Sequence, residues 1–225
     1  MTRETYEKIE EYMRSCLHDS AHDAEHIYRV LNNALVIAHG EENVDYDILI
    51  TACLLHDIAR PEQIADSDIC HAAFGSEKAY TFLIENGFPA SFAQAVKDCI
   101  RTHRFRKNDQ PESLEAKILF DADKLDVVGA IGIARTLVYR GTVSSPLYTR
   151  KPDGSISGGD GDEADSFFKE YHFKLKKLYD RFYTTTGKEL ALTRKQTAVD
   201  FYQNLYREVN DFDVEGKVLL DHMLK

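Results

Sequence analysis

Residues 46–59 read YDILITACLLHDIA, and wound at 3.6 residues per turn they are apolar on nearly every side. Such a segment belongs at the centre of a helical bundle, and Pro61 just beyond it is expected to enforce its stop. Upstream, 24–39 (AEHIYRVLNNALVIAH) carries Ile27, Val30, Leu31, Ala34, Leu35 and Ala38 at the spacing of a buried stripe, and residues 6–17 place Ile9, Met13 and Cys16 on one face. Downstream, helical patterns continue at 71–86, 89–103, 112–140, about 164–184 and 188–224. Long alternating runs of β-branched and aromatic residues are absent, so no sheet is needed. The expected fold class is all-α, a single helical domain over 1–225.

One segment breaks the pattern. Residues 141–163, GTVSSPLYTRKPDGSISGGDGDE, hold five of the 12 glycines and two of the five prolines and show no periodicity. They read as a long, mobile surface loop that either closes over a substrate or is tolerated length, with C-terminal helices following at 164–224. The aromatic residues beyond it (Phe167, Phe168, Tyr171, Phe173, Tyr179, Phe182, Tyr183) suit either core packing or the face of a homodimer.

Composition narrows the class. The 225 residues are 43% hydrophobic and 29% charged, which excludes disordered and collagen-like chains. A chain of this length buries roughly 70% of its unfolded surface and needs neither disulfide nor metal merely to fold. No apolar run is long enough to span a bilayer, and the start, MTRETYEKIEEYMRSCL, lacks the apolar core of a secretory signal. Cys16, Cys53, Cys70 and Cys99 form no CxxC pair, so reduced thiols and a cytoplasmic location are expected. The net charge of −10 repels nucleic-acid phosphate, yet leaves room for a small phosphorylated substrate in a locally basic pocket.

The chemistry is sought among nine histidines. Three precede an aspartate (His18-Asp19, His22-Asp23, His56-Asp57), and the dipeptide alone says little. His56-Asp57 stands out because it closes an apolar helix, where a charged pair is costly unless compensated. A divalent metal is a natural compensator, since it takes neutral imidazole and ionised carboxylate together; a water-exposed helix end is the alternative. His26 sits at the core edge beside Ile27 and Val30, as a ligand or as a satisfied core histidine, while His22 and Asp23 look like a helix entrance. Asp121, Asp123 and Asp126 lead into the small apolar run Val127-Val128-Gly129-Ala130. Acids there suit a helix dipole, but an acid facing that core needs a partner, and Asp123 and Asp126 at i and i+3 can face one site.

The ordered set His26-x2-Arg29-Val30, Leu55-His56-Asp57 and Asp121-Ala122-Asp123-Lys124-Leu125 resembles the HD-domain metal-dependent phosphohydrolases. Within that superfamily it is similar to the bacterial branch that includes nucleotide pyrophosphatases; the motifs span 22–137, and GAIGIAR at 129–135 is similar too. The resemblance implies one divalent metal held by His26, His56, Asp57 and Asp123. Mixed nitrogen and oxygen ligands suit Mn or Mg first, and are compatible with Fe, Co, Ni or Zn. It also implies hydrolysis of a nucleotide phosphoanhydride, a nucleoside triphosphate going to monophosphate and pyrophosphate. The same centre would serve a phosphodiesterase or phosphomonoesterase, and a diiron oxygenase would require His71 and His103 as further ligands.

His71 opens a helical pattern and His103 ends one. Their expected role is substrate contact or proton transfer, the alternatives being a second metal or plain helix ends in solvent. Asp57 has a second oxygen that could orient the attacking water or take its proton. Arg29, Lys124 and Arg135 are expected to face the phosphate, and Asp126 to reach the substrate or a water. Arg101, Arg104, Arg106 and Lys107 put four cations into an acidic chain, either as a clamp for a polyphosphate or as a solvated helix end. His18, His39, His172 and His222 are read as structural or exposed.

Overall fold

The computed structural model describes residues 1–17, 24–104 and 109–224. The expectations placed on His18, Asp19, His22, Asp23, Arg106 and Lys107 fall outside those residues. Among the described residues the architecture is all-α, with an isolated bridge between Arg150 and Ile156. Among the described residues, no helix is long and apolar enough to cross a membrane.

The chain divides into two compact units, Met1–Asp126 with Phe182–Glu189, and Val127–Arg181 with Leu190–Lys225. The first contains α1 (Arg3–Cys16), α2 (Ala24–Ala38), α3 (Tyr46–Leu55), α4 (Arg60–Ala65), α5 (His71–Glu85), α6 (Ala90–Thr102) and α7 (Leu114–Leu125). As its composition demands, α3 is central: it packs against α1, α2, α6 and α7. Leu49, Ala52, Cys53, Leu54 and Leu55 are all fully buried, and each large apolar side chain so placed contributes about 1.5–3 kcal/mol. The Asp45 side chain caps α3 by accepting from the Asp47 and Ile48 amides.

The end of α3 departs from expectation. The helix stops at Leu55, residues 56–59 form turns, and Pro61 sits in the first turn of α4. Proline opens this helix rather than closing the previous one, because its missing N–H has no partner to lose there. The stop is set earlier, where His56 Nδ1 reaches the Cys53 carbonyl at 2.8 Å, the acceptor that another helical turn would use.

The pattern at 112–140 is likewise divided. Ser113 caps α7 by accepting from the Ala116 amide, and the helix ends at Leu125. Gly129 then opens α8 (Gly129–Thr142) with φ +67°, a left-handed conformation in which a Cβ would also meet the Arg194 Cβ at 2.7 Å. Asp121 explains how 182–189 joins the first unit. Its buried carboxylate accepts from the amides of Tyr183 (2.9 Å) and Thr184 (2.7 Å) and from the Thr184 hydroxyl (2.7 Å).

The second unit holds α8, α9 (Phe167–Phe173), a 3-10 segment (Leu175–Asp180), most of α10 (Thr185–Asn210) and α11 (Asp213–Met223). Phe167, Phe168, Tyr171 and Tyr179 are core residues of this unit, whereas Phe173 is exposed. The 141–163 segment is tied by its own bonds: Asp162 accepts from the hydroxyls of Thr149 and Ser157, and the Phe167 and Phe168 amides donate to Pro146 and Leu147.

Candidate metal centre

Five helices of the first unit converge on one carboxylate. Asp57, in the turn after α3, is buried with both oxygens facing imidazole nitrogens. Its Oδ2 lies 3.5 Å from His26 Nε2 on α2 and 3.7 Å from His56 Nε2. Its Oδ1 lies 3.2 Å from His71 Nε2, at the start of α5, and 3.5 Å from His103 Nε2, at the end of α6. From α7, Asp123 Oδ1 stands 3.6 Å from His26 Nε2. All four imidazoles are buried, and His26 and His56 bring their Nε2 atoms to 3.4 Å of one another.

Each ring is turned by an acceptor behind it. His26 Nδ1 donates to Asp126 Oδ2 (2.7 Å), His56 Nδ1 to the Cys53 carbonyl, His71 Nδ1 to Gln63 Oε1 (2.6 Å) and His103 Nδ1 to the Ile100 carbonyl. Acceptors on every Nδ1 select the Nδ1–H tautomer, so four Nε2 lone pairs point at Asp57 and Asp123. Arg29 closes the shell around His26, its Nε and Nη2 donating to the two oxygens of Asp126 at 2.8 and 3.1 Å.

The electrostatics follow from burial and charge. Burial holds His56 down to about 4 and pushes His71 far below the usual imidazole range. For His26 burial is outweighed by the Asp126 hydrogen bond and by Asp57, and its pKa is raised. Burial would raise both carboxylates, but Arg60 and His56 beside Asp57, and Lys124 and His26 beside Asp123, hold them well below the usual range. The outcome is ionised carboxylate facing the two imidazoles, His56 and His71, that burial depresses.

These groups fit a cation. Among the described residues, both oxygens of Asp57 and the Nε2 atoms of His71 and His103 are buried with no hydrogen-bond partner. Each such group left alone costs about 1–3 kcal/mol. The ligand atoms of His26, His56 and Asp123 lie within 4.8 Å of one another, and so do those of Asp57, His71 and His103. The donors are imidazole nitrogen and carboxylate oxygen, a set that serves Mn, Fe, Co, Ni and Zn and, through its oxygens, Mg.

Of the residues expected at the site, His26, His56, Asp57, Asp123, His71 and His103 come together. Neither His71 nor His103 is a helix end in solvent. Asp126, expected on the substrate side, lies behind His26 instead, because the turn after α7 directs its carboxylate toward α2. Arg29 is occupied with that same carboxylate. Lys124 is ion-paired to Asp123 at 2.7 Å. Arg104 reaches the Cys70 thiol at 3.9 Å, beside the start of α5, and Arg101 pairs with Asp109 on the surface. Arg135 lies on α8, in the other unit.

Two participants escape a sequence reading. Arg60 brings Nε to 2.9 Å from Asp57 Oδ2, and its i+3 spacing from Asp57 is the signal that marks it. Gln63, which orients His71, carries no such signal, since the two meet only through the loop between α4 and α5.

The HD domain family model matches residues 23–128, the segment that contributes all six converging side chains. The Bacillus subtilis protein YpgQ is 31% identical over 215 residues, covering 93% of this chain and 96% of its own. This chain belongs to the HD-domain superfamily. A predicted HD superfamily hydrolase from an uncultured Thermotogales bacterium has a crystal structure similar to this HD protein, with a TM-score of 0.61, 32% identity, and coverage of 91% of this chain and 92% of that one. The structure of B. subtilis YpgQ in complex with ADP aligns with a TM-score of 0.70 at 29% identity, over 92% of this chain and 100% of that one.

Proposed function

We propose that this HD protein is a divalent-metal-dependent phosphohydrolase that cleaves a nucleotide phosphoanhydride, releasing nucleoside monophosphate and pyrophosphate from a triphosphate. The observation that carries the reading is Asp57, a buried carboxylate ion-paired to Arg60 on one side, with neither oxygen in a hydrogen bond among the described residues and four imidazole Nε2 atoms at 3.2–3.7 Å. His26, His56, Asp57 and Asp123 would hold the ion. Held there, a divalent ion would supply activation of water near neutral pH and would offset charge on the phosphoryl oxygens.

The chain's own residues supply the rest. Asp126 and Arg29 fix His26 in its ligand tautomer. His71 and His103, each with Nδ1 on an acceptor and Nε2 turned inward, are suited to exchange a proton or to contact the phosphoryl group. Arg104, a cation beside the start of α5, is the phosphate contact retained from the basic cluster. The nucleotide class is supported by the ADP held by the relative YpgQ.

The experiment is incubation of the purified protein with Mn or Mg and a panel of nucleoside mono-, di- and triphosphates, with products resolved by chromatography. Monophosphate with pyrophosphate is the expected outcome. Orthophosphate alone would replace this reading with a phosphatase acting on a terminal phosphate, and turnover only of a cyclic nucleotide offered in parallel would replace it with a phosphodiesterase.

One observation favours a second reading of the metal content. Asp57 turns Oδ2 toward His26 and His56 and Oδ1 toward His71 and His103, so that His26, His56 and Asp123 would hold one ion and Asp57, His71 and His103 a second. Metal analysis of the loaded protein separates the two, one ion per chain supporting the mononuclear centre and two supporting the binuclear one. Two irons per chain, with oxygen consumption, would point to an oxygenase instead.

A further inference from the structure

The Lys124 ammonium has three N–H donors, and the structure gives three directions for them. Nζ lies 2.7 Å from Asp123 Oδ2, 3.3 Å from the His103 carbonyl and 4.7 Å from the centre of the Phe120 ring. Phe120 is buried in the core of the first unit, so the π-face contact anchors the ammonium to a fixed support. The Lys124 side chain is 13% exposed, which leaves little of it in contact with solvent.

The two oxygen contacts belong to different halves of the centre. Asp123 turns its other oxygen, Oδ1, toward His26 Nε2, in the group formed by His26, His56 and Asp123. His103 directs Nε2 at Asp57 Oδ1, in the group formed by Asp57, His71 and His103. A lysine on Oδ2 prevents Asp123 from rotating and leaves Oδ1 as the atom presented to the centre. The same ammonium fixes the backbone carbonyl of His103, and with it the turn that carries this ring at the end of α6.

We infer that Lys124 is a positioning residue for the metal, making Asp123 a one-oxygen ligand and bracing His103 across the site, rather than a cation that receives the substrate phosphate. The inference rests on the metal-dependent reading above. It assigns the effect of Lys124 to metal affinity, where a phosphate contact would place it in substrate affinity. Partners behind a metal ligand typically change affinity 10- to 100-fold when removed.

The test compares wild type with Lys124→Met, which keeps the length of the side chain and removes its charge, and with Lys124→Arg. Calorimetric titration of Mn2+ alone into each metal-stripped protein gives the metal Kd, and kinetics at saturating Mn2+ give KM. Lys124→Met is expected to raise the metal Kd roughly 10- to 100-fold and to move KM far less, with Lys124→Arg recovering most of the affinity. A metal Kd within twofold of wild type combined with a tenfold rise in KM would overturn the inference and return Lys124 to the phosphate. Should Lys124→Met fail to fold, Lys124→Gln, which keeps a neutral donor, is judged by the same two numbers. Failure of the wild type to bind Mn2+ or any other divalent ion would instead overturn the metal reading and this inference with it.

Discussion

His26 Nδ1 and Asp126 Oδ2 meet at 2.7 Å across 100 residues of sequence, and the contact decides which nitrogen of His26 faces the centre. Asp126 is in turn gripped by Arg29 through both its oxygens. A ligand histidine held by a carboxylate that is held by a guanidinium leaves the ring one orientation and one tautomer.

Removing that support should loosen the metal without removing a ligand. Asp126→Ala is expected to weaken Mn2+ binding roughly 10- to 100-fold, and Asp126→Asn, which retains an acceptor, to weaken it less. Calorimetric titration measures both. Equal loss in the two variants would mean that the Asp126 charge, rather than its hydrogen bond, is what His26 uses.

Acid should destabilise the metal-stripped protein. His56 has a folded pKa of about 4, set first by burial, against an ordinary value of 6.5, and His71 is depressed in the same direction. A histidine depressed on folding contributes stability that is complete above the unfolded pKa and is lost as pH falls toward the folded one. The window is therefore about pH 6.5 down to 4, and between pH 7 and 5 His56 alone loses roughly 2 kcal/mol. His26, raised on folding, works in the opposite sense, and its contribution is already complete below pH 6.5. Urea midpoints at pH 7 and pH 5 measure the sum, and a midpoint unchanged or higher at pH 5 would contradict the depression of His56 and His71 by burial.

Asp121 should matter for stability more than for metal. It takes amide and hydroxyl bonds from Tyr183 and Thr184 in a buried setting, and truncation would leave those donors without an acceptor. Asp121→Ala is expected to cost on the order of 3 kcal/mol. Urea unfolding reads the loss, and a change below about 0.5 kcal/mol, the range of an ordinary surface substitution, would show that 182–184 is held by other means.

Much of this was legible from residue order. The apolar run around α3, the His56-Asp57 pair at its end and the Asp121–Asp126 acids identified both the helical class and the superfamily. The legible part is local, since periodicity and motif spacing report which residues share a face. What stayed hidden is what crosses the bundle. The convergence of His71 and His103 on Asp57 depends on α5 and α6 packing beside each other. Asp126 and Asp123 share one short stretch, yet the turn after Leu125 sends one behind His26 and leaves the other in front of it. Pro61 misleads for a related reason, because the sequence marks a helix boundary there without saying which side of it the proline serves.

Asp57 joins both halves of the centre, so the most direct measurement is a titration of Mn2+ into metal-stripped wild type and Asp57→Asn, followed by nucleotide hydrolysis in the same samples. The account predicts saturable binding and turnover in the wild type and loss of both in Asp57→Asn, with the variant still folded by circular dichroism. Full binding or full turnover in folded Asp57→Asn would contradict it.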